Sequence, residues 1–574
     1  MAEDYKVRAL EVDDTFQMWS PYKMERVFEF MIRNNMNTLI FHENNIVDKV
    51  VWPGFVYGCG GDDDRRSYSI YRDRLYKEIY YRTPSPYVFI DELMIFRDLM
   101  KTIVGRAVEL GLDFYFQPKE IWFPEILYER QDLMKNGKMC PSEPWWWEIF
   151  LPQKYEELMQ NFPEISGIVT STGTKESRIS LAHQKCQCDK CKAMSMQEWQ
   201  RNVILAIYGP LKTRGKKLVI RDFSYYADEQ NGIRAGLLDL PDDIVISIKN
   251  VPQDYYQTFP HNTLIGHVGN HEQWIEYETL GEYYGWGLTP VSMLADIHYR
   301  MDHCLKNKAD GISTRIDWEA LPNTSTFETP NQLNLYAIAQ FAVNVDTPPR
   351  DIYAKWLVED RHLEENISSA RFKDTLDFVM GIFDKTWPIM SKTPYLLGAV
   401  FMNNSKIPVS IDNADFISQE HHGIQKWFPQ YRDIFSYDDN HVADMLKEKE
   451  DAYREIIVLN REWHSRNPGL EEEFYRTYCD LFDIFELYVK MYRLVGKSYI
   501  WIKYLQKQGK NTALKGYGEI TAEVKELIGE MKAVEQELKD HRPPVQFRYQ
   551  FLAMMNSERL RVYYEDVEAV LQNL

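Results

Sequence analysis

The sequence contains no run of about 18 consecutive apolar residues, which excludes an ordinary membrane-spanning helix. Its first residues, "MAEDYKVRALEV", lack a basic segment followed by an apolar one, so the chain as written reads as cytoplasmic. Cysteine is scarce: seven in 574 residues, an odd number, fit a reducing compartment rather than a disulfide framework. Positive charge is outweighed, 67 Lys and Arg against 86 Asp and Glu, for a net charge of −19. Nucleic acid and anionic membranes, which need a concentrated cationic face, are therefore not expected partners. No Gly-rich phosphate loop opens a helix and no Gly-x-Ser-x-Gly elbow occurs, which removes two common catalytic designs. Low-complexity linkers and internal repeats are also missing.

What is present is a large supply of core-forming residues: 44% hydrophobic and 14% aromatic, with 37 Tyr and 15 Trp. Up to about residue 345, short β-branched or aromatic runs alternate with amphipathic stretches of helical length, the mark of repeated β-α units around a parallel sheet. Eight such runs can be counted, "VRALEV", "NTLIFHEN", "LDFYFQP", "SGIVTSTG", "KLVIRDFSY", "DIVISIKN", "IEYETLGEY" and "GISTRIDW". Eight strands close a barrel, and residues 1–345 are expected to form an α/β TIM barrel of (β/α)8 type. Residues 346–574 lose the β runs and predict an all-α helical domain, whose large aromatic surface is a possible route to a homodimer. The stretch from 50 to 90 breaks the rhythm and reads as an elaborated loop after the second strand.

In such barrels the chemistry sits at the C-terminal ends of the strands. Reading just past each run finds Glu43 and Asn44, then Trp122, Glu176, Arg221, Lys249 with Asn250 and Asp254, Glu282, and Arg315. A lone charge at a strand end is ordinarily solvated. Carboxylates and cations converging from nearly every strand, among aromatic residues able to stack on sugar faces, point to glycosidic cleavage of an anionic sugar. Trp122 or Trp286 is expected to supply the desolvating wall that keeps one carboxyl protonated.

Two segments make the reading sharper. "IVISIKNVPQDYYQ" at 244–257, followed by "IEYETLGEYYGWG" at 275–287, resembles the glycoside hydrolase family 67 α-glucuronidases, and "NQLNLYAIAQFAVNVDTPPRDIYAKWLVE" at 331–359 is similar to that family's passage from barrel to helices. The resemblance implies an inverting enzyme that needs no cofactor and no catalytic metal and removes an α-linked glucuronic or related uronic acid from an oligosaccharide, as in xylan degradation. It further implies Glu176 as the acid, Asp254 and Glu282 as the pair that directs water, and Lys249 with Arg221 as the grip on the uronate. The surroundings of Glu176 depart from the family pattern, with Thr172 and Lys175 in "TSTGTKES". The alternatives are a glycosidase of the same scaffold acting on a neutral or N-acetylated sugar, or a barrel that binds carbohydrate without cleaving it.

Two further motifs stay open at this point. "HQKCQCDKC" gathers His183, Cys186, Cys188 and Cys191, but a single short loop rarely closes a zinc tetrahedron, whose ligands usually come as two separated pairs. Trp145, Trp146 and Trp147 stand in series, so at least one of them is expected in the core.

Overall fold

The computed structural model describes residues 5–13, 18–51, 91–123, 127–128, 130–171, 177–182, 186–318, 320–321 and 324–574. Eight strands are found where the β-branched runs predicted them: β1 (Val7–Val12), β2 (Thr38–His42), β3 (Asp113–Gln117), β4 (Gly167–Ser171), β5 (Lys217–Arg221), β6 (Val245–Lys249), β7 (Gln273–Glu278) and β8 (Gly311–Arg315). They pair in parallel, each with its sequence neighbours, and β8 closes on β1 with Val7 opposite Gly311 and Glu11 opposite Arg315. The expected TIM barrel is therefore formed.

Alternate strand residues point into the barrel, and that inward series changes character along each strand. Its lower layer is apolar: Ala9, Ile40, Tyr115, Val169, Val219, Val245 and Trp274 form a buried cluster of their own. Two residues further along, the same faces carry Glu11, His42, Gln117, Arg221, Ser247 and Glu276, all buried. Tyr115 and Trp274 meet edge to face across the lower layer, ring centroids 5.5 Å apart. Glycines make room for them. A Cβ on Gly167 would lie 2.2 Å from the Lys217 carbonyl oxygen and 2.8 Å from the Tyr115 ring, and one on Gly311 would meet Val7 and Trp274 inside 3.0 Å.

Helices cover the outside. They are α1 (Pro21–Arg33), α2 (Asp91–Glu109), α3 (Leu151–Asn161), α4 (Met196–Thr213), α5 (Ala227–Leu237), α6 (Leu294–Lys306) and α7 (Gln332–Val343). Proline opens α1, where its missing N–H costs nothing, and Gly111 at φ 74° follows the end of α2. The link from β6 to β7 departs from the pattern: residues 250–272 contain no helix and form a chain of turns. Arg300 of α6 ties this link down, donating from Nη2 to the carbonyls of Gln257 (2.6 Å) and Phe259 (3.0 Å).

Beyond α7 the chain is mainly helical, as expected, with α8 (Asp439–Trp463), α9 (Glu472–Gln508), α10 (Tyr517–Asp540) and α11 (Ser557–Gln572) as its long elements. The 37-residue α9 is buried on every side from Leu494 to Ile502, which makes it the central rod of the bundle. Before α8, residues 395–427 run back over the barrel. Tyr395 donates to the Tyr283 carbonyl (2.8 Å), Ser405 Oγ to the Glu282 carbonyl (2.8 Å), and Trp427 Nε1 to Gln253 Oε1 (3.0 Å). No described helix is long and apolar enough to cross a membrane.

The tight interior gives a contrast between two glycines. Gly167→Ala forces a methyl into the Lys217 backbone and is expected to destabilise by about 1–3 kcal/mol, the usual cost of overpacking. Gly105→Ala in α2, where an added Cβ would meet nothing within 4 Å beyond the helix's own backbone, is expected to stabilise by about 0.4–1 kcal/mol. Thermal unfolding midpoints of the two variants should move in opposite directions.

Candidate active site at the mouth of the barrel

The C-terminal ends of the strands open into a cavity of about 430 Å³, within the usual range of about 300–1,000 Å³ for small-ligand sites. Asp254, Glu282, Lys249, Arg221, Arg315, Glu43 and Asn44 all line it, so seven of the residues singled out in the sequence share one space. Glu176 lies outside the described residues, as do Lys175, His183 and most of the 50–90 stretch.

Asp254 sits in the turn after β6 with φ 42°, a left-handed conformation that costs a non-glycine residue roughly 1–2 kcal/mol. Several contacts hold it there. Lys249 Nζ is 3.0 Å from Oδ1, His422 Nδ1 is 3.8 Å from Oδ2, and the preceding Gln253 is clamped by Trp427 and His422. Burial works against its charge, but Lys249 and then His422 outweigh it and bring the carboxyl down to about 2, so Asp254 is ionised at all ordinary pH. Lys249 in turn lies over the Phe223 ring, 4.1 Å from its centroid, a cation–π contact in a dry setting.

Glu282 is positioned by the turn after β7. The buried carboxylate of Glu278 accepts the backbone N–H of Gly281 (2.8 Å) and of Glu282 (3.2 Å), and Ser405 holds the Glu282 carbonyl from the helical side. Its own carboxylate receives Arg315 Nη2 at 2.5 Å. Arg315 also donates from Nη1 to Asp13 at 3.2 Å, and Asp13 leads to His42, whose Nδ1 is 2.8 Å from Asp13 and 3.1 Å from Glu11. Burial alone would lower the imidazole; Asp13 first and Glu11 next reverse that and raise it to about 9. Glu11, Asp13 and His42 stand close enough together to suggest a cation site. Arg315 and Gln117 already supply donors to its carboxylates.

Arg221 requires a correction of the expected role. Its fork is filled by Glu276, Nε to Oε1 at 2.8 Å and Nη2 to Oε2 at 2.6 Å, and Ser247 and Tyr255 also donate to the same carboxylate. A bidentate grip on a substrate carboxylate is not open to that edge of the guanidinium. Asn250 is buried and shares its amide with Gln257. Trp286 is buried against Trp318, which does reach the cavity, and Lys406 lies over its ring. The Trp122 ring packs under Arg178 while its carbonyl accepts from Lys154, so neither indole singled out as a wall lines the space. Of the three serial indoles, Trp146 is fully buried and none lines the cavity.

The sequence places His42 and Lys119 at or just past the ends of the second and third strands without giving them a role; Asp13, which the barrel's inward alternation was sufficient to find, and Asn403, Asn404, His421 and His422, which come from beyond the barrel, were missed. The paired histidines in "QEHHG" were the available signal for the second group.

The arrangement provides carboxylates held by cations beside Phe223, Tyr225, Tyr255 and Trp318, the mixture of charged edge and aromatic face that suits a sugar. No family model matches the sequence, and no protein of curated function matches it. Solved structures do. A GH138 enzyme targeting pectin rhamnogalacturonan II superposes with a TM-score of 0.62 at 10% identity, over 100% of this chain and 83% of that one. CpGH89 from Clostridium perfringens, solved with GlcNAc-alpha-1,4-galactose, gives 0.47 at 11% identity over 99% and 64%. A GH115 4-O-methyl-alpha-glucuronidase with specificity for decorated arabinogalactans gives 0.41 at 11% identity over 99% and 61%. What the first of these shares with the present chain is the fold.

The His42 cluster makes stability pH-dependent. Its folded value, about 9, lies above the unfolded value of about 6.5, so its contribution is fully present below about pH 6.5 and is lost as pH rises through 9. Calorimetry between pH 6 and 10 should show this loss. His42→Gln is expected to lower stability at pH 6 by about 3 kcal/mol and to flatten the profile over that window.

Proposed function

We propose that the chain is a glycoside hydrolase that releases an α-linked uronic acid from an oligosaccharide with inversion of configuration. The observation that carries the reading is the pairing of Asp254 with Lys249 and of Glu282 with Arg315 on neighbouring loops around one cavity. Two carboxylates held in this way bind a water without being neutralised, and their negative charge stabilises the positive charge that develops on the sugar ring. The proton of the attacking water passes to the Asp254 and Glu282 pair, and a proton from the acid passes to the leaving oxygen. The resemblance to family 67 assigns that acid to Glu176; inversion requires about 6.5–9.5 Å between acid and base carboxyls.

Selectivity for a uronate is supported by the cations on the same wall. Lys249, Arg315 and protonated His42 put three positive charges on that wall, each already paired with a carboxylate, and Arg221, engaged by Glu276, adds field rather than a two-pronged contact. Phe223 and Tyr255 beneath Lys249 exclude water and strengthen each of these attractions.

The test is hydrolysis of p-nitrophenyl α-glucuronide and of oligosaccharides bearing α-linked glucuronic acid. Turnover should fall by about 10²–10⁴-fold in Asp254→Asn and in Glu282→Gln, with uronic acid binding retained, and proton NMR should show the β-anomer forming first. Unchanged turnover in the double variant refutes the mechanism. Equal kcat/KM on neutral sugars, unaffected by Lys249→Met, refutes the uronate preference.

A further inference from the structure

Outside the cavity, the strongest assembly of chemically competent side chains is a cluster of four thiols. Cys186 and Cys188 lie in the link after β4, and Cys191 in the short helix Asp189–Ala193 that follows them. The partner that such a loop needs comes from 46 residues earlier: Cys140, at the end of a small hairpin (Met134–Lys135 with Lys138–Met139) in the β3 to α3 connection. Its sulfur is 3.5 Å from that of Cys188 and 3.4 Å from that of Cys191, and all four sulfurs lie within 4.8 Å of one another.

We propose that Cys140, Cys186, Cys188 and Cys191 hold a structural zinc ion. Four sulfurs at about 2.3 Å from a tetrahedral zinc are about 3.8 Å apart, close to the separations observed here, whereas a disulfide brings only two sulfurs together, at about 2.05 Å. All four cysteines are free. Each sulfur of the set touches more than one other, an arrangement that pairwise oxidation does not explain and a shared central ion does.

The backbone around the thiols has the matching form. The N–H of Ser142 donates to the Cys140 sulfur, that of Cys188 to Cys186 and that of Cys191 to Cys188. Such donors favour the thiolate, the form that binds metal. The Cys140 turn is also held in place without any metal: Trp146 Nε1 donates to the Cys140 carbonyl (3.0 Å), Trp199 Nε1 to the Pro141 carbonyl (3.0 Å), and the Cys140 N–H to Leu133 (2.9 Å). Lys190, paired with Glu143 at 2.9 Å, lies near enough to Cys140 and Cys188 to offset part of the double negative charge that a zinc tetrathiolate carries. On binding, the thiols release their protons to solvent, four Zn–S bonds form and no electron is transferred. With four protein sulfurs the coordination is complete, which makes the site structural, with no position for substrate. It joins the loop after β3 to the loop after β4, and it stands independently of the glycosidase reading.

Protein prepared without metal-affinity resin and analysed by inductively coupled plasma mass spectrometry should contain one zinc per chain. Titration of its thiols with an organomercurial should release that zinc, followed with a chromogenic chelator. Cys188→Ser and Cys191→Ser should lose the metal, while Cys304→Ser, at a buried thiol outside the cluster, should retain it. Wild-type protein stripped and reloaded with cobalt(II) should show the visible bands of a tetrahedral tetrathiolate, a readout that does not depend on any variant folding. Zinc-free protein in which all four thiols react and which takes up no cobalt overturns the proposal, as does full zinc content in Cys188→Ser.

Discussion

A charge enclosed by protein must be matched, because leaving one unpaired costs several kcal/mol. In this molecule that requirement organises the whole upper half of the barrel. The inward faces of the strands pass from a dry layer built around Tyr115 and Trp274 to a layer of buried ionic groups, and each of those groups recruits partners from a neighbouring strand or loop. Glu276 satisfies Arg221; Glu11 and Asp13 share His42; Asp13 and Glu282 share Arg315; Asp254 takes Lys249. The chain of pairs runs around the mouth, so the position of any one carboxylate is fixed by several strands together. A site assembled in this way is preorganised before any substrate arrives.

The helical region completes what the barrel starts. The turns bearing Asp254 and Glu282 are fastened from outside by Trp427, Ser405 and Tyr395, and the residues that do so sit among backbone outliers of their own, Asn404 at φ 49° and Ser405 at φ 57°. Strained backbone on both sides of the contact is sustained by the packing between them. The long buried α9 supports this arrangement, since Tyr488 donates to the Ser405 carbonyl.

Much of this was legible in the sequence because the signals were local. The β-branched runs located all eight strands, and the residues just past their ends placed charged groups at one end of the barrel. The link from β6 to β7 looked no different from its neighbours, yet it contains no helix; its turns are stabilised by Arg300 and Trp427, contacts of long range that no window of residues displays. For the same reason His421 and His422 escaped notice, as did the meeting of Cys140 with three cysteines more than 45 residues further on. Arg221 was correctly located at the mouth, but residue type alone did not reveal that Glu276 occupies its fork.

The helix-free link has a mechanical consequence. Where a covering helix would ordinarily insulate a barrel loop from its surroundings, Gln253 and Asp254 are instead wired to Trp427 and His422 of the C-terminal region. Slack between the two halves of the molecule is transmitted directly to that aspartate. Barrel and bundle are thus coupled at this point, and a chain shortened after α7 loses the contacts that aim Asp254.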